Sequence, residues 1–400
     1  MRQRAVTPWQ ERAIALADDL VWRGILHSAV WRAAVEQTPR HVFISAETSA
    51  TVTGLVAQEA DVDTWLDQVY SDLTIVVQRR AHPSQAIDGV GAALPTSSST
   101  MPSLMIEMLE ALDLHDGHRV LEIGTGTGYN AALLSHRLGS ERVVSIDIDP
   151  DLVGVARRRL KELGHSPILV AGNGLDGVPE HGPYDRIIAT CAVPQVPEEW
   201  IKQLAPGGAM LINVRGEIAG VLCLLSRQDE DDEVIGSVVR SDGNFMWLRR
   251  ELNNPLRDEE SSTVIGARKV ARRLTTLSPT DFLEDKNFLW LLQLELPGLR
   301  MICSTEVFDP MDKVSRPGIL MHAEDGSHAQ VINEPETDGQ HRVIQGGCCR
   351  LWDTVETAYK RWVRLGNPDP CRFKVVANST IQFVSLDGDT NWLRWPLPLV

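Results

Sequence analysis

A carboxylate followed by three alternating glycines is the stretch of this sequence whose spacing best suits ligand chemistry. Glu122 ends an apolar run, and Gly124, Gly126 and Gly128 follow before a helical pattern begins. Glycine has no Cβ and adopts positive φ readily, so such a turn lets the backbone approach a ligand closely. The G-x-G-x-G spacing differs from the G-x-G-x-x-G of dinucleotide-binding turns, which disfavours a nicotinamide enzyme.

Polar side chains end the next two strand-like runs along the chain. Asp147 follows Gly124 by about twenty residues, where an acid accepts hydrogen bonds from ribose hydroxyls in dinucleotide folds. Asn173 and Gly174 end the following run, and the Asn173 amide oxygen suits an adenine amino group. Separately, Asp147 is explained as a helix cap and Asn173 as a turn residue. Together they favour an adenosine-type ligand, and the sequence holds no G-x-x-x-x-G-K-[ST] motif of an ATP enzyme.

Four hydroxyl residues, 97–100, precede a helical pattern that begins near Pro102. Threonine caps helices well and proline suits the first helical position, so Thr100 is predicted to cap this helix. The stretch 81–100 contains several prolines and glycines and is predicted to be a loop. A helix cap and a contact to a bound substrate are both open roles for Thr100, and one hydroxyl can serve both.

Strand-like runs alternate with helical patterns through the middle of the chain. This alternation predicts an α/β fold in which a parallel sheet carries helices on both faces. Ligands of such sheets bind beyond the carboxyl ends of the strands, so the glycine turn, Asp147 and Asn173 are predicted to meet. The predicted strands are 119–123, 142–147, 167–171, 184–190 and 209–214, the predicted helices are 130–138, 150–163 and 197–204, and 220–226 and 234–239 are predicted to add antiparallel strands.

Both ends of the chain lack this alternation. Helical patterns cover 8–35, and a polar break over 251–265 marks a domain boundary. After the break, the patterns predict a small α+β unit with a hairpin over 373–395 that turns near 387–388. Its other predicted elements are helices over 280–296 and 351–365 and strands over 299–303 and 328–333.

Composition excludes several classes of function. The net charge of −15 argues against general affinity for nucleic acid, whose phosphates require basic surface. Six cysteines without a C-x-x-C pair predict neither a disulfide scaffold nor a structural zinc site, and no metal is expected. The N-terminus has no apolar signal-peptide core, and no apolar run reaches the ~20 residues that span a bilayer. We therefore expect a cytoplasmic protein without a membrane partner.

Several motifs, taken in order, resemble the protein-L-isoaspartate O-methyltransferases. The resemblance covers roughly residues 10–250. It implies a doubly wound, mostly parallel, seven-stranded Rossmann-like sheet and S-adenosylmethionine as cofactor. The implied reaction is methylation of a free Asp or isoAsp carboxylate in a peptide or protein, after which the ester collapses to a succinimide. The motifs are Pro-Arg-His-Val-Phe at 39–43, the hydroxyl run before Pro102, 120–129, Asp147, 184–194 and 203–208.

The resemblance also implies site residues. The family serine beside the substrate corresponds to Thr100, with Ser99 next to it, and these are the predicted catalytic residues. Val193 and Pro194 are predicted to join Thr100 in binding substrate. Two positions depart from the family, which usually has serine at Thr100 and aspartate at Asn173. The predicted cofactor-binding residues are Glu122, Gly124, Thr125, Gly126, Gly128, Asp147, Ile148, Asn173 and Gly174.

Little acid–base chemistry is required of such a site. A carboxylate with a pKa near ~4 is ionised at neutral pH, so no general base is needed. We therefore expect positioning of the reactants and exclusion of water to supply most of the rate.

The chain extends about 150 residues past the family core, by the length that one further domain requires. That extension resembles the methyltransferases of actinobacterial lanthipeptide and ATP-grasp peptide maturation, which install an aspartimide in a modified precursor peptide. The resemblance rests on Leu351-Trp352-Asp353, Arg361-Trp362, Gly366 and Arg372-Phe373.

Three hypotheses follow from these resemblances: methylation of a natural-product precursor, general repair of isoaspartyl proteins, and a non-catalytic binding subunit with the same fold. The predicted domains are an N-terminal helical cap over 1–80, a methyltransferase domain over 81–250 and a C-terminal α+β accessory domain over 266–400.

Overall fold

The computed structural model describes most of the chain. The described residues are 8–44, 50–51, 54–55, 62–87, 90–228, 232–252, 254–255, 270–280, 283–309, 313–336, 338–388 and 393–399. Most of the predicted polar break at 251–265 lies outside these ranges. Among the described helices, none is long and apolar enough to cross a bilayer.

The N-terminal part combines helices with a four-stranded antiparallel sheet of order β2-β1-β3-β4. Helix α1 buries Ala13, Leu16, Ala17 and Leu20 on one face, as its helical spacing predicts. The elements are α1 (Pro8–Trp22), α2 (Ala29–Gln37), a 3₁₀ turn (Arg40–Phe43), β1 (Ala50–Thr51), β2 (Gly54–Leu55), α3 (Val62–Val69), β3 (Ile75–Ile87) and β4 (Val90–Ser99).

The loop predicted over 81–100 is wrong, because β3 and β4 pair there as an antiparallel hairpin. Strand β4 lies at the edge of its sheet, where a proline costs no ladder hydrogen bond. Pro95 pairs with Arg79 beside an irregular register. The hydroxyl run extends as strand up to Ser99, which faces Ile75.

The prediction of a doubly wound α/β fold is confirmed by the central sheet. Five strands run parallel in the order β7-β6-β5-β8-β9, and β10 and β11 continue from β9 in antiparallel sense. The elements are α4 (Pro102–Ala111), β5 (Val120–Ile123), α5 (Tyr129–Leu138), β6 (Val143–Asp147), α6 (Pro150–Glu162), β7 (Ile168–Ala171), β8 (Tyr184–Val193), α7 (Glu198–Gln203), β9 (Leu204–Arg215), β10 (Gly220–Arg227) and β11 (Glu233–Arg240).

Local sequence explains why these elements form. All four residues of β5 are buried, as expected for a central strand covered on both faces. Helix α6 begins with Pro150, and the Asp149 carboxylate accepts hydrogen bonds from the amides of Asp151 and Leu152. The strand order turns at β5, which lies between β6 and β8. A ligand site is therefore expected beyond the carboxyl end of β5.

The C-terminal part extends the central sheet and also forms a second one. Strand β19 pairs with β11, and β20 and β21 follow, so the central sheet has ten strands rather than the predicted seven. The second sheet is antiparallel, with the order β14-β18-β17-β16-β15. The elements are β12 (Arg249–Glu251), β13 (Asn254–Pro255), β14 (Ala271–Thr275), α8 (Lys286–Glu295), β15 (Leu299–Asp309), β16 (Val314–Ala323), β17 (His328–Ile332), β18 (His341–Gly346), α9 (Leu351–Arg364), β19 (Phe373–Asn378), β20 (Gln382–Leu386) and β21 (Arg394–Pro396).

The hairpin predicted over 373–395 turns earlier than expected. Strands β19 and β20 are joined through 379–381, where Asn378 Oδ1 accepts the amides of Thr380 and Ile381. The predicted turn at 387–388 instead follows β20. An asparagine turn of this kind replaces the Asp-Gly signal, because the Asn378 side chain supplies the acceptor. Residues 266–400 thus contribute to two sheets, and the three domain boundaries stay predictions.

Candidate functional site

A cavity of ≈ 340 Å³ opens beyond the carboxyl ends of β5, β6 and β8. Its floor is the glycine turn after β5, and one wall is the end of β4. Residues 244–249, which we call the roof segment, cover the opposite side. Of the residues predicted from sequence, the cavity is lined by Ser99, Thr100, Glu122, Gly124, Thr125, Gly126, Asp147, Ile148 and Gly174.

Two glycines of the turn meet neighbours too close for a larger residue. Gly124 has φ of +100°, and a Cβ there would lie 2.6 Å from Thr190 Oγ1. The Thr190 hydroxyl donates to the Gly124 carbonyl over 2.9 Å, which fixes the turn against β8. A Cβ on Gly128 would lie 2.9 Å from Ala156 Cβ on α6. Among the described residues Gly128 does not line the cavity, and its close approach to Ala156 packs the turn against α6.

Glu122 is fully buried beneath the turn and is held by two side chains. Asn130 Nδ2 donates to Oε1 over 2.8 Å, and Ser145 Oγ donates to Oε2 over 2.6 Å. Burial raises the pKa of Glu122 to about 7, against the opposing effect of these two hydrogen bonds. The group therefore titrates close to neutral pH.

Asp147 is joined directly to the glycine turn. Its Oδ2 accepts the Gly126 amide over 2.8 Å, and its Oδ1 accepts the Asp149 amide over 3.0 Å. Burial raises the pKa of Asp147, while those two amides and the charge of Arg249 oppose the shift. The carboxylate thus lies at the cavity wall with its backbone contacts already formed.

Asp149, two residues after Asp147, is the N-cap of α6. The capping role that the sequence offered as the alternative explanation of Asp147 therefore belongs to Asp149. Its Oδ1 caps α6, and its Oδ2 accepts Gln78 Nε2 and Arg80 Nη2, each over 2.8 Å. Burial works against ionisation of Asp149, but the bonds from Gln78 and Arg80 outweigh it and lower the pKa. Asp149 therefore ties the β3–β4 hairpin to the edge of the cavity.

Three predicted site residues lie elsewhere. The Asn173 side chain accepts the Leu175 amide over 3.1 Å. Asn173 therefore acts as a turn residue, which was one of its two explanations from sequence. Val193 is buried in the core, and the Pro194 carbonyl accepts the Leu399 amide over 3.1 Å. Within the described part of the chain, none of the three lines the cavity.

The hydroxyl residues before α4 do reach the cavity. Ser99 is 3% exposed, and among the described residues its Oγ has no hydrogen-bond partner. The N-cap position of α4 is Met101, and Asp72 Oδ1 accepts the Ser103 amide over 2.8 Å. Thr100 lies one residue too early, so the prediction that it caps this helix is wrong. Contact with the substrate stays the other predicted role of Thr100.

Sequence reasoning missed the roof segment. Its backbone pairs with the end of β8, where the Ala192 amide donates to the Met246 carbonyl over 2.8 Å and the Leu248 amide donates to the Ala192 carbonyl over 2.9 Å. Arg249 Nη2 donates to the Thr96 carbonyl on β4 over 3.2 Å. The segment thus spans the cavity from β8 to β4. An apolar run at 245–248 between polar stretches was the available signal.

The family model for protein-L-isoaspartate(D-aspartate) O-methyltransferase (PCMT) matches residues 11–242, more than half of the chain. The chain belongs to this family. The matched region contains most of α1, all of α2 to α7, the glycine turn and Asp147. It ends just before the roof segment, so family membership extends to the floor and the hydroxyl wall of the cavity.

Individual relatives agree with this assignment. A protein-L-isoaspartate O-methyltransferase 2 of Pelobacter propionicus is 35% identical over 223 residues, which are 55% of this chain and 83% of the relative. A protein-L-isoaspartate O-methyltransferase of Methanosarcina mazei is 40% identical over 139 residues, 34% of this chain and 56% of that one. Across this relative and four others like it, the match spans 38% to 66% of their length.

The fold comparison reaches further along the chain. A solved protein-L-isoaspartate O-methyltransferase structure aligns with 94% of this chain and 99% of its own, with a TM-score of 0.52 and 24% identity. Such identity shows a shared fold. The alignment is long enough to take in much of the C-terminal part beyond residue 242.

Proposed function

We propose that this protein transfers a methyl group from S-adenosylmethionine to the free carboxylate of an aspartyl or isoaspartyl residue in a peptide or protein. The observation that carries the proposal is one cavity whose lining combines the glycine turn, Asp147 and Thr100. Membership of the O-methyltransferase family supports the reaction class.

The lining fits the proposed cofactor. Gly126 leaves room for a ligand beside the backbone because it has no Cβ, and Gly124 lets the same turn pack closely against Thr190. Asp147 suits the ribose hydroxyls, and Leu248 and Ile123 form an apolar wall beside Gly174 that suits adenine. The Ser99 hydroxyl has no partner among the described residues, and a polar ligand group would satisfy it. The cofactor would supply a methyl group already activated by the positive sulfonium.

The remaining work belongs to the protein side chains. The acceptor carboxylate is ionised at neutral pH and needs no base. Thr100 would orient it by donating a hydrogen bond, and the roof segment would exclude water, since Phe245 and Leu248 are buried there. Release of methanol from the ester, as the backbone amide attacks, would then give the succinimide.

The acceptor class is the finer part of the proposal. We propose an aspartyl side chain of a modified natural-product precursor, which would become an aspartimide. The motivation is the C-terminal part, whose strands β19 to β21 extend the central sheet. General repair of isoaspartyl proteins is a second candidate, because a solved isoaspartate methyltransferase shares the fold over 94% of the chain.

A transfer assay with labelled S-adenosylmethionine separates these candidates. The acceptors are an L-isoaspartyl peptide, the same peptide with L-aspartate, and a cyclised precursor peptide with one aspartate. Label on the cyclised aspartyl peptide alone supports the precursor hypothesis, whereas turnover only on the isoaspartyl peptide refutes it and supports repair. Calorimetry that detects no binding of S-adenosylhomocysteine would favour a non-catalytic subunit.

A further inference from the structure

The backbone that follows Thr100 is held by a neighbouring segment. Residues 69–74, which we call the bracing segment, connect α3 to β3. Thr74 Oγ1 accepts the Met101 amide over 3.2 Å, and Asp72 Oδ1 accepts the Ser103 amide over 2.8 Å. Both amides belong to the start of α4, where a helix leaves its amides without intrahelical partners.

Arg40 fastens the bracing segment and Thr100 together. The side chain is fully buried, and its guanidinium donates to four backbone carbonyls. Nη1 reaches Val69 and Ser71 over 2.6 and 3.0 Å, and Nη2 reaches Leu73 and Thr100 over 3.0 and 3.2 Å. One rigid, planar fork therefore fixes both chain segments at once, which a lysine ammonium would not reproduce.

Burial of the Arg40 cation is energetically unfavourable, and the effect is visible in its pKa. Burial lowers the pKa of Arg40 to about 10. Four backbone carbonyls compensate part of the charge through their dipoles, and the Asp72 carboxylate and the Tyr129 ring, 5.9 Å away, add to this. A buried polar group of this kind demands one defined geometry of its partners. The geometry it defines here is that of residues 69–73 and of Thr100.

We propose that Arg40 and Asp72 are positioning residues for acceptor binding, because they fix the backbone at the Thr100 carbonyl and at the start of α4. This inference rests on the proposed function, in which Thr100 contacts the acceptor carboxylate. Asp72 caps α4 in place of Thr100, so the threonine is left for the cavity. The cofactor side of the cavity is held by other contacts, those of Gly124 with Thr190 and of Gly126 with Asp147.

Steady-state kinetics and cofactor binding of Asp72→Ala test the assignment. We expect kcat/KM for the acceptor peptide to fall about tenfold, while the Kd of S-adenosylhomocysteine changes less than about twofold. Arg23→Ala is the control, because it removes the 2.7 Å ion pair to Asp72 and leaves the Ser103 contact. A parallel loss of cofactor affinity in Asp72→Ala would overturn the proposal.

A double-mutant cycle with Thr100→Val separates positioning from general support. If Asp72 acts through the Thr100 hydroxyl, Asp72→Ala has little further effect on kcat/KM in the Thr100→Val background. If the losses of kcat/KM from the two substitutions were instead additive in the double variant, the inference would be refuted. The kcat/KM of Arg40→Lys is compared with that of Arg159→Lys. Arg159 is a suitable match because its Nη1 also donates to a nearby backbone carbonyl, that of Phe43, over 2.7 Å.

Hydrogen exchange tests the same inference without turnover. In Asp72→Ala, the amides of Met101 and Ser103 should exchange faster, while protection of the glycine turn stays unchanged. Wild-type protein that fails to methylate any of the three acceptors would sink the proposed function. Unchanged exchange at 101–103 would sink the positioning role on its own, even if the wild-type protein were active.

Discussion

The amide of Gly126 donates to the Asp147 carboxylate over 2.8 Å, so the glycine turn and the acid that ends β6 are joined before any ligand enters. The carboxylate has further lone pairs for ribose hydroxyls. Cofactor binding would therefore extend an existing hydrogen-bond network. A preformed site of this kind loses less entropy on binding than one that must first be ordered.

Removal of the Asp147 carboxylate should weaken cofactor binding. Asp147→Ala would lose charge-assisted bonds of ~1.5–3 kcal/mol each, and the turn would lose its contact at Gly126. We expect the Kd of S-adenosylhomocysteine to rise at least about tenfold by calorimetry. Asp151→Asn is the matched control, an exposed acid in the first turn of α6. An unchanged Kd in Asp147→Ala would show that Asp147 does not bind the ribose.

A methyl group on Gly124 should destabilise the fold. The new Cβ would lie 2.6 Å from Thr190 Oγ1, at a φ of +100° that L-residues rarely adopt. Gly164→Ala is the control, because its φ of +81° is similarly strained while nothing lies within 4 Å. We expect urea unfolding to show a loss for Gly124→Ala about 1–3 kcal/mol larger than for the control. Equal losses of unfolding free energy in the two variants would mean that the Thr190 side chain moves away from the new methyl group at little cost.

Local pattern predicted the centre of the fold well. Residues 119–214 alternate between short apolar runs and amphipathic stretches, and the predicted helix 130–138 is observed as α5, Tyr129–Leu138. The hairpin of β3 and β4 was not predictable from such a pattern. Its prolines and glycines indicate a loop, and only the edge position of β4 makes Pro95 compatible with a strand.

The candidate site shows the same division. Asp147 and the first two glycines follow strands directly, so strand order alone brings them to one edge of the sheet. Gly128 and Asn173 have the right spacing, but their surroundings decide their roles. Gly128 meets Ala156 on α6, and Asn173 bonds to the Leu175 amide. The roof segment pairs with Ala192, more than fifty residues earlier, a contact that no local signal carries.

The buried Glu122 should make stability depend on pH. Its ordinary pKa of 4.5 is raised to about 7 in the folded protein, so between these pH values the folded state holds a proton that the unfolded state releases. Its stabilising contribution is therefore complete below about pH 4.5 and is lost as the pH rises through about 7. The loss is at most ~1.4 kcal/mol per pH unit.

Glu122→Gln should remove this dependence, because glutamine imitates the protonated acid. Urea unfolding at several pH values between 5 and 8 would compare the two proteins. We expect the stability of the variant relative to wild type to increase with pH and then level off. The Ser145 hydroxyl can accept from the new amide, since Thr125 Oγ1 lies 2.6 Å away as an alternative partner. A constant difference across this range would contradict the raised pKa.

The contact between Arg249 and the Thr96 carbonyl should slow release of the cofactor. It joins the roof segment to β4 over 3.2 Å, so Arg249→Ala would leave the roof with its contacts to Ala192 on β8 and to Asn213 and Arg215 on β9. We expect the dissociation rate of S-adenosylhomocysteine to rise about three- to tenfold, because a half-buried side chain loses its charge-assisted bonds to the Thr96 and Leu252 carbonyls. Stopped-flow fluorescence would report this through Trp247, which lines the cavity.

Arg250→Ala is the matched control for the roof, since it removes the same charge from the exposed neighbouring residue. A contribution from the general positive charge of this surface would appear in both variants and would weaken with added salt, whereas Arg249 also faces the Asp147 carboxylate. If the Arg249 contact itself holds the roof in place, only Arg249→Ala accelerates dissociation, and the difference in rate between the two variants persists at high ionic strength. Equal rates in the two variants would show that the roof closes without Arg249, through its other contacts with Ala192, Asn213 and Arg215.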